Sequence, residues 1–368
     1  ALSSSFFGMY EEGNFDPLVS TYLFIAIVSN VSVMLAFSSL LSFFYKFKYD
    51  LRPFNPVPKF LCIKSIIFCI FWQGIAIALL LEFEIGQDKI LPVNLQITRS
   101  KKNYSFFFIN AEEKIEATNY IIKGDSLFIQ MPLFNSMFKL KINTKKSISG
   151  HWHNYAKGPE YKVPVKFTAK INDRFNQKEL ATFNADGKWK VVFNYDENHP
   201  WDALGVFKTI NNKTSGTFMT ETGDYRFLEG NITGNKLQIS CFDGSHLFLF
   251  EALFESDTLK GTFFSGNHWH CHWHAVKDDH FKLTDPNELT HIVDNKQFSF
   301  DALDSLGNNF HFPNKNYENK VTIIQIMGSW CPNCMDETVF YKDLYATYNK
   351  KGLEIISVGF EPGKDTQA

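Results

Sequence analysis

The chain has 368 residues, long enough for two or three domains that each bury a core. Its formal net charge of −2 leaves no basic stripe of the kind that tracks a phosphate backbone, so nucleic acid is not an expected partner. Six cysteines are too few for a disulfide scaffold at this length, and only Cys331 and Cys334 stand at a spacing with redox meaning. The sequence starts at Ala1 and stops at Ala368 shortly after a strand pattern, and it reads as a fragment at both ends.

Tyr22 to Phe44 carries no charge, and Phe60 to Leu81 carries only Lys64. As helices they would extend about 33 Å, enough to cross roughly 30 Å of hydrocarbon. Two transmembrane helices are therefore expected, at about 20–45 and 59–83, within a domain covering 1–86. The connector holds Lys46, Lys48, Arg52 and Lys59, which predicts a cytoplasmic connector and an extracytoplasmic carboxyl-terminal region, periplasmic or lumenal.

Short alternating runs such as Lys188-Trp189-Lys190-Val191-Val192-Phe193, broken by Gly, Asn and Asp, predict an antiparallel β domain over 90–285. The polar stretch from Asp285 to Asn295 reads as a linker. A third domain is expected over 296–368. There Val321 to Met327 is a strand pattern, Met335 to about Asn349 a helix pattern, and Leu353 to Phe360 a second strand, which together form a β-α-β unit.

The cysteine pair falls where the first of these strands hands over to the helix. A thiolate at a helix N-terminus is stabilised by unpaired N–H groups and the helix dipole, which makes Cys331 the candidate nucleophile. Cys334, one turn on, is the candidate resolving thiol. Pro332 suits the first helical turn because its missing N–H costs no helix hydrogen bond. No second pair of ligands follows, as a zinc site would need. The run His268-Trp269-His270-Cys271-His272-Trp273-His274 sets its four histidines on one face of a strand, a weak metal-binding candidate beside the plainer reading of a polar strand face. Asp243, Tyr225 and Arg226 are further candidates for a binding surface.

Ser329-Trp330-Cys331-Pro332-Asn333-Cys334, with Glu337 three residues beyond and the flanking strands, resembles TlpA-like and ResA-like members of the thioredoxin superfamily. The resemblance implies a membrane-tethered thiol–disulfide oxidoreductase, with catalytic Cys331 and Cys334 and with Trp330, Pro332 and Glu337 shaping the site. It implies no cofactor besides the redox-active disulfide. Its partners would be protein thiols and disulfides, an upstream thiol donor and membrane lipid. The family's cis-proline loop would follow residue 368. Thr217 to Gly230, Cys241 to His246 and Gly261 to Gly266 resemble the domain that precedes the thioredoxin fold in TlpA-like proteins of Bacteroidetes type.

Near the amino terminus, Tyr10 to Phe15, Leu51 to Leu61, Lys64 to Phe68 and Phe71-Trp72-Gln73-Gly74 resemble the organic solute transporter alpha-like family of eukaryotic seven-helix membrane proteins. Lys64 and Gln73 would then be intramembrane polar residues. The two resemblances meet near Gly86 to Leu91, as in a fusion or a mis-joined gene. The expected fold class is multidomain: a transmembrane helical hairpin, an antiparallel β domain, and a truncated α/β thioredoxin-like fold. The expected function is membrane-anchored thiol–disulfide exchange. The alternatives are a fragment of an organic solute transporter alpha-like protein, or a binding module built on the β domain.

Overall fold

The structure, a computed structural model, describes residues 77–86, 88–100, 103–144, 147–168, 174–175, 179–291 and 298–360, together with the isolated positions Ser39 and Lys46. The chain divides into two compact units, Ala1–Gln73 and Gly74–Ala368, and every element named below belongs to the second.

Nine antiparallel strands form the first sheet. They are β1 (Ile77–Glu84), β2 (Ile90–Ser100), β3 (Asn103–Asn110), β4 (Glu113–Ala117), β5 (Tyr120–Lys123), β6 (Ser126–Gln130), β7 (Ser136–Thr144), β8 (Ser147–Asn154) and β9 (Lys162–Thr168). Each pairs with its neighbour in sequence except β4 and β5, and the first strand also pairs with the last, Leu81 opposite Phe167. The sheet is thus a meander rolled until its ends meet, with its one gap between β4 and β5. Its core holds Leu81, Phe83, Val93, Phe108, Phe138, Trp152 and Phe167, the alternate residues that a pleated strand sends to one face.

Nine more strands form the second sheet. They are β10 (Gly187–Phe193), β11 (Trp201–Ile210), β12 (Lys213–Thr220), β13 (Gly223–Asp224), β14 (Leu228–Thr233), β15 (Lys236–Phe242), β16 (Leu247–Glu255), β17 (Thr258–Ser265) and β18 (Trp269–Lys277). Here β10 pairs with β18 and β11 with β12, so eight strands close into an up-and-down barrel while β13 is a short addition to β12. Two-residue turns connect several hairpins. Asn211-Asn212 and Ser256-Asp257 hold positive φ at both central positions, the twist that tight hairpins demand. Trp189, Phe193, Phe218, Phe250, Phe263 and Trp273 fill the interior. Phe250 stacks on Phe263 at 4.3 Å between ring centroids, so the lumen is a packed core.

The first sheet packs on the outside of this barrel. Phe242, Leu247, Leu249 and Phe264 turn away from the lumen and join the first core, which leaves β15 buried on both faces. Lys89 and Lys236 meet on Glu251, at 2.6 and 2.8 Å, across the same junction.

Beyond the barrel, α1 (Pro286–Leu289) is capped by Asp285 and falls within the expected linker. A hairpin of β19 (Phe300–Leu303) and β20 (Asn309–Phe312) follows. Then β21 (Val321–Met327) and β22 (Leu353–Gly359) pair in parallel across α2 (Pro332–Tyr348).

This architecture overturns the expected fold class. The described residues are mostly β strand, and the carboxyl-terminal part supplies two parallel strands and one long helix rather than an α/β thioredoxin-like fold. A strand–turn–helix signal is local, whereas such a fold requires a central sheet, and β21 and β22 pair with no other described strand. Nor is a transmembrane hairpin seen among the described residues. Residues 20–45 lie outside the described residues apart from Ser39, as do 59–76, while 77–83 of the second expected helix belong to β1. Among the described residues no helix is long and apolar enough to cross a membrane. A continuous apolar run carries no period to separate helix from strand. The distinguishing signal stands at its end, where Leu81, Phe83 and Ile85 are buried and alternate with Glu82 and Glu84.

Candidate functional site

Cys331 and Cys334 are joined by a disulfide at the start of α2. Cys331 is the N-cap, and its Sγ accepts a hydrogen bond from the Cys334 N–H at 3.2 Å. Pro332 occupies the first turn and is buried, whereas both cysteines are half-buried. The turn leading into the site is tightly fixed. The Cys331 N–H donates to Gly328 O at 3.0 Å, and the Trp330 indole N–H donates to Phe360 O at 3.0 Å, just past β22. A Cβ on Gly328 would lie 2.5 Å from that indole, which requires glycine there.

Beneath the pair, buried Gln325 of β21 donates to Cys334 O at 3.3 Å and to Glu337 at 3.1 Å, and accepts from Ser357 of β22 at 2.9 Å. Thr338 donates to Cys334 O at 2.7 Å. Glu337 also accepts from the Tyr341 hydroxyl at 2.8 Å, and that hydrogen bond raises the tyrosine's pKa. Glu337 therefore braces helix to strand and makes its hydrogen bonds to Gln325 and Tyr341, not to the cysteines.

The barrel approaches from the other side. At one end of β12 the seam with β14 parts, and the chain passes through β13 into Tyr225 and Arg226. Tyr225 turns inward against Phe248, Phe250 and Phe263, and burial pushes its hydroxyl up to about 12. Arg226 turns outward. Its backbone takes a positive φ of 62°, held by the Asp224 carboxylate accepting its N–H at 2.9 Å. Its guanidinium donates to Asn333 Oδ1 at 2.8 Å, to Asp336 at 2.6 Å and to Glu113 of β4. Asn333, between the cysteines, donates in turn to Asp224 at 3.2 Å. Burial pushes the Glu113 carboxyl up, opposed by the Arg226 charge.

A second barrel contact comes from the turn after β15. Ser245 Oγ donates to Trp330 O at 3.0 Å. Buried Asp243 fixes that turn by accepting from the N–H groups of Ser245 and His246, at 2.8 and 2.6 Å, and lies 3.0 Å from His246 Nδ1. Burial works against its ionisation, but the His246 charge and these hydrogen bonds outweigh it and hold the Asp243 carboxyl below the usual range.

The remaining candidates disperse. His268 precedes β18 and lies 3.3 Å from Lys157, His272 meets Asp196 at 2.5 Å, His270 stacks on Phe264, and His274 packs against Tyr195. Among the described residues no three His, Cys, Asp or Glu side chains converge as metal ligands. Cys241 and Cys271 face the barrel core, where burial raises both thiols, Cys271 to about 11. Neither is poised to react. Sequence reasoning missed Gln325, Ser245, Asp224 and Glu113, since no local motif marks a side chain that reaches the site through tertiary contact.

Residues 1–105 match the family model of Organic solute transporter Ostalpha. The matched stretch runs through β1 and β2 into β3, so it extends into the first sheet rather than stopping at residue 86. Among solved structures, a protein of unknown function from the DUF3598 family of Nostoc punctiforme is similar at 8% identity, covering 56% of this chain and 96% of its own, with a TM-score of 0.20. Burkholderia oklahomensis agglutinin is similar at 9% identity, covering 55% of this chain and 84% of its own, with a TM-score of 0.13. Likeness at those TM-scores transfers neither fold nor function. The family match is confined to the amino-terminal 105 residues of the 368.

Proposed function

We propose that the carboxyl-terminal part of the chain performs thiol–disulfide exchange with protein thiols at Cys331 and Cys334. The observation that supports this reading is the disulfide at the N-terminus of α2, with the Cys331 sulfur accepting the Cys334 N–H. In the disulfide state an incoming thiolate attacks Cys331 Sγ. The Cys331–Cys334 bond breaks, Cys334 leaves as a thiolate, and a mixed disulfide forms at Cys331. A second thiol of the partner then attacks the mixed disulfide, which leaves the partner oxidised and the pair reduced. In the reverse direction the Cys331 thiolate attacks a partner disulfide and Cys334 resolves the product. An upstream thiol donor then returns the pair to its reduced form. When Cys331 is a thiolate, the Cys334 N–H and the positive end of α2 stabilise it. Trp330 and Pro332 hold the turn, and Glu337 with Gln325 holds the helix beneath it.

The test is trapping. The Cys334→Ser chain, incubated with a disulfide-containing protein, should accumulate a mixed disulfide at Cys331 that peptide mass spectrometry locates, and Cys331→Ser should accumulate none. Equal trapping by both variants, or none by either, would sink the proposal.

The family match over residues 1–105 favours a second reading, an organic solute transporter-like membrane protein whose β portion is incidental to transport. It supports membrane association of the amino-terminal segment. Uptake of an organic anion that depends on residues 1–86 and survives Cys331→Ser would speak for it. Uptake lost with Cys331→Ser would count against it.

A further inference from the structure

We infer that Arg226, on the barrel rim, is a positioning residue that sets the reactivity of Cys331. The inference rests on the exchange reading and adds to it a dependence on the barrel. Three observations converge. The loop between the cysteines is not free: Asn333 is gripped by Arg226 at 2.8 Å and Asp224 at 3.2 Å, and Pro332 is buried. One guanidinium spans three parts of the molecule, namely Glu113 on the first sheet, the barrel rim, and Asn333 with Asp336 in α2. And Arg226 is held in place by its own backbone hydrogen bond to Asp224 and by a side chain only 11% exposed.

The charges around this point decide the direction of the effect. Asp224, Asp336 and Glu113 converge there, Glu337 follows in the same helical turn, and the Asp243–His246 pair lies under the Ser245 contact to Trp330. Arg226 is the cation that meets Glu113 and Asp336 there. With it present, part of that negative charge is offset, and the first turn of α2 offers Cys331 the N–H donors and dipole of a helix start. Without it, three carboxylates remain close to the cysteine loop, which disfavours a thiolate, and Asn333 loses its main restraint. Asn333 transmits the effect as the residue two positions after Cys331.

The experiment uses the full chain reduced with dithiothreitol and alkylated with iodoacetamide from about pH 5 to 10, with modification of Cys331 read by peptide mass spectrometry. Arg226→Ala should move the Cys331 midpoint upward and slow its alkylation at pH 7 about tenfold, the effect of roughly one pH unit on the thiolate fraction. Arg226→Lys, which keeps the charge but loses the forked geometry, should recover part of the shift. Asn333→Ala leaves the Arg226–Glu113 contact in place and should shift the midpoint in the same direction, so the inference survives a failure of Arg226→Ala to fold. A wild-type midpoint in both Arg226→Ala and Asn333→Ala overturns it, as does faster alkylation in either, which would mean the rim merely covers the site. The Cys334→Ser trap run beside these variants separates the two claims. A Cys334→Ser chain that traps no mixed disulfide ends the exchange reading, whereas trapping with unshifted midpoints ends only the role of Arg226.

Discussion

At the scale of single residues, the site shows which part of a local motif carries information. Two cysteines three apart, a proline between them and a strand before them are enough to place a sulfur at a helix start, and that placement was readable from Cys331 to Cys334 alone. Their supports were not. Arg226 and Asn333 stand 107 residues apart, and Ser245 and Trp330 stand 85 apart. Arg226 is legible as a binding-surface candidate, but nothing in its neighbourhood announces the helix it meets. Asp243 offers a test that does not involve the cysteines. Its folded carboxyl sits below the ordinary 3.8, so it contributes stability that is present above that value and lost as pH falls through the folded pKa. Asp243→Asn should therefore cost about 1–3 kcal/mol at pH 7, and its deficit against wild type should shrink as the pH drops below about 4. Urea midpoints measured across that range check both the size and the sign.

Among elements, the sequence was most informative where structure is decided locally. β21, α2 and β22 follow from an apolar run, a capped helix start and a second apolar run. Alternation marked the barrel strands, as in β10, where Trp189, Val191 and Phe193 point inward. β1 reads as helix in the sequence because its apolar stretch continues a helix-length run, and only Leu81 to Ile85 alternates. The division of 90–285 into two separate sheets was also invisible, because β15 and β16 bury residues on both faces and so show weak alternation. Barrel closure places its own demand on these strands. A Cβ on Gly261 would collide with the backbone oxygen of Glu251 in β16, and one on Gly230 with that of Gln238 in β15. Gly261→Ala should lower stability by about 1–3 kcal/mol, read as a fall in urea midpoint without loss of β-sheet circular dichroism. An unchanged midpoint would mean that the strands part at no cost.

On the scale of the whole molecule, the boundary inferred near Gly86 to Leu91 does not coincide with a structural boundary. β1 lies inside the stretch that matches the transporter family and also pairs with both β2 and β9. A chain starting at Gly74 should keep the first sheet and unfold cooperatively with the barrel. One starting at Gln87 should lose the core contacts of Leu81 and Phe83, together with near-ultraviolet circular dichroism. Equal melts for the two chains would show that β1 is dispensable and would restore a boundary near residue 86.

The way each sheet is closed bears on how the chain can be made. In both, the strand that completes the roll pairs with the one that began it: β9 returns to β1 and β18 to β10. A ribosome releases these partners about 80 to 90 residues apart, at roughly 5–20 residues per second, so the opening strand waits for several seconds or more before its mate emerges. Through that interval β1 has one bare edge and an uncovered apolar face, the condition in which unfinished sheets associate with one another. The barrel must also be complete before Asn333 has a rim to dock on. Synthesis thus delivers the cysteine pair after both of the structures that position it.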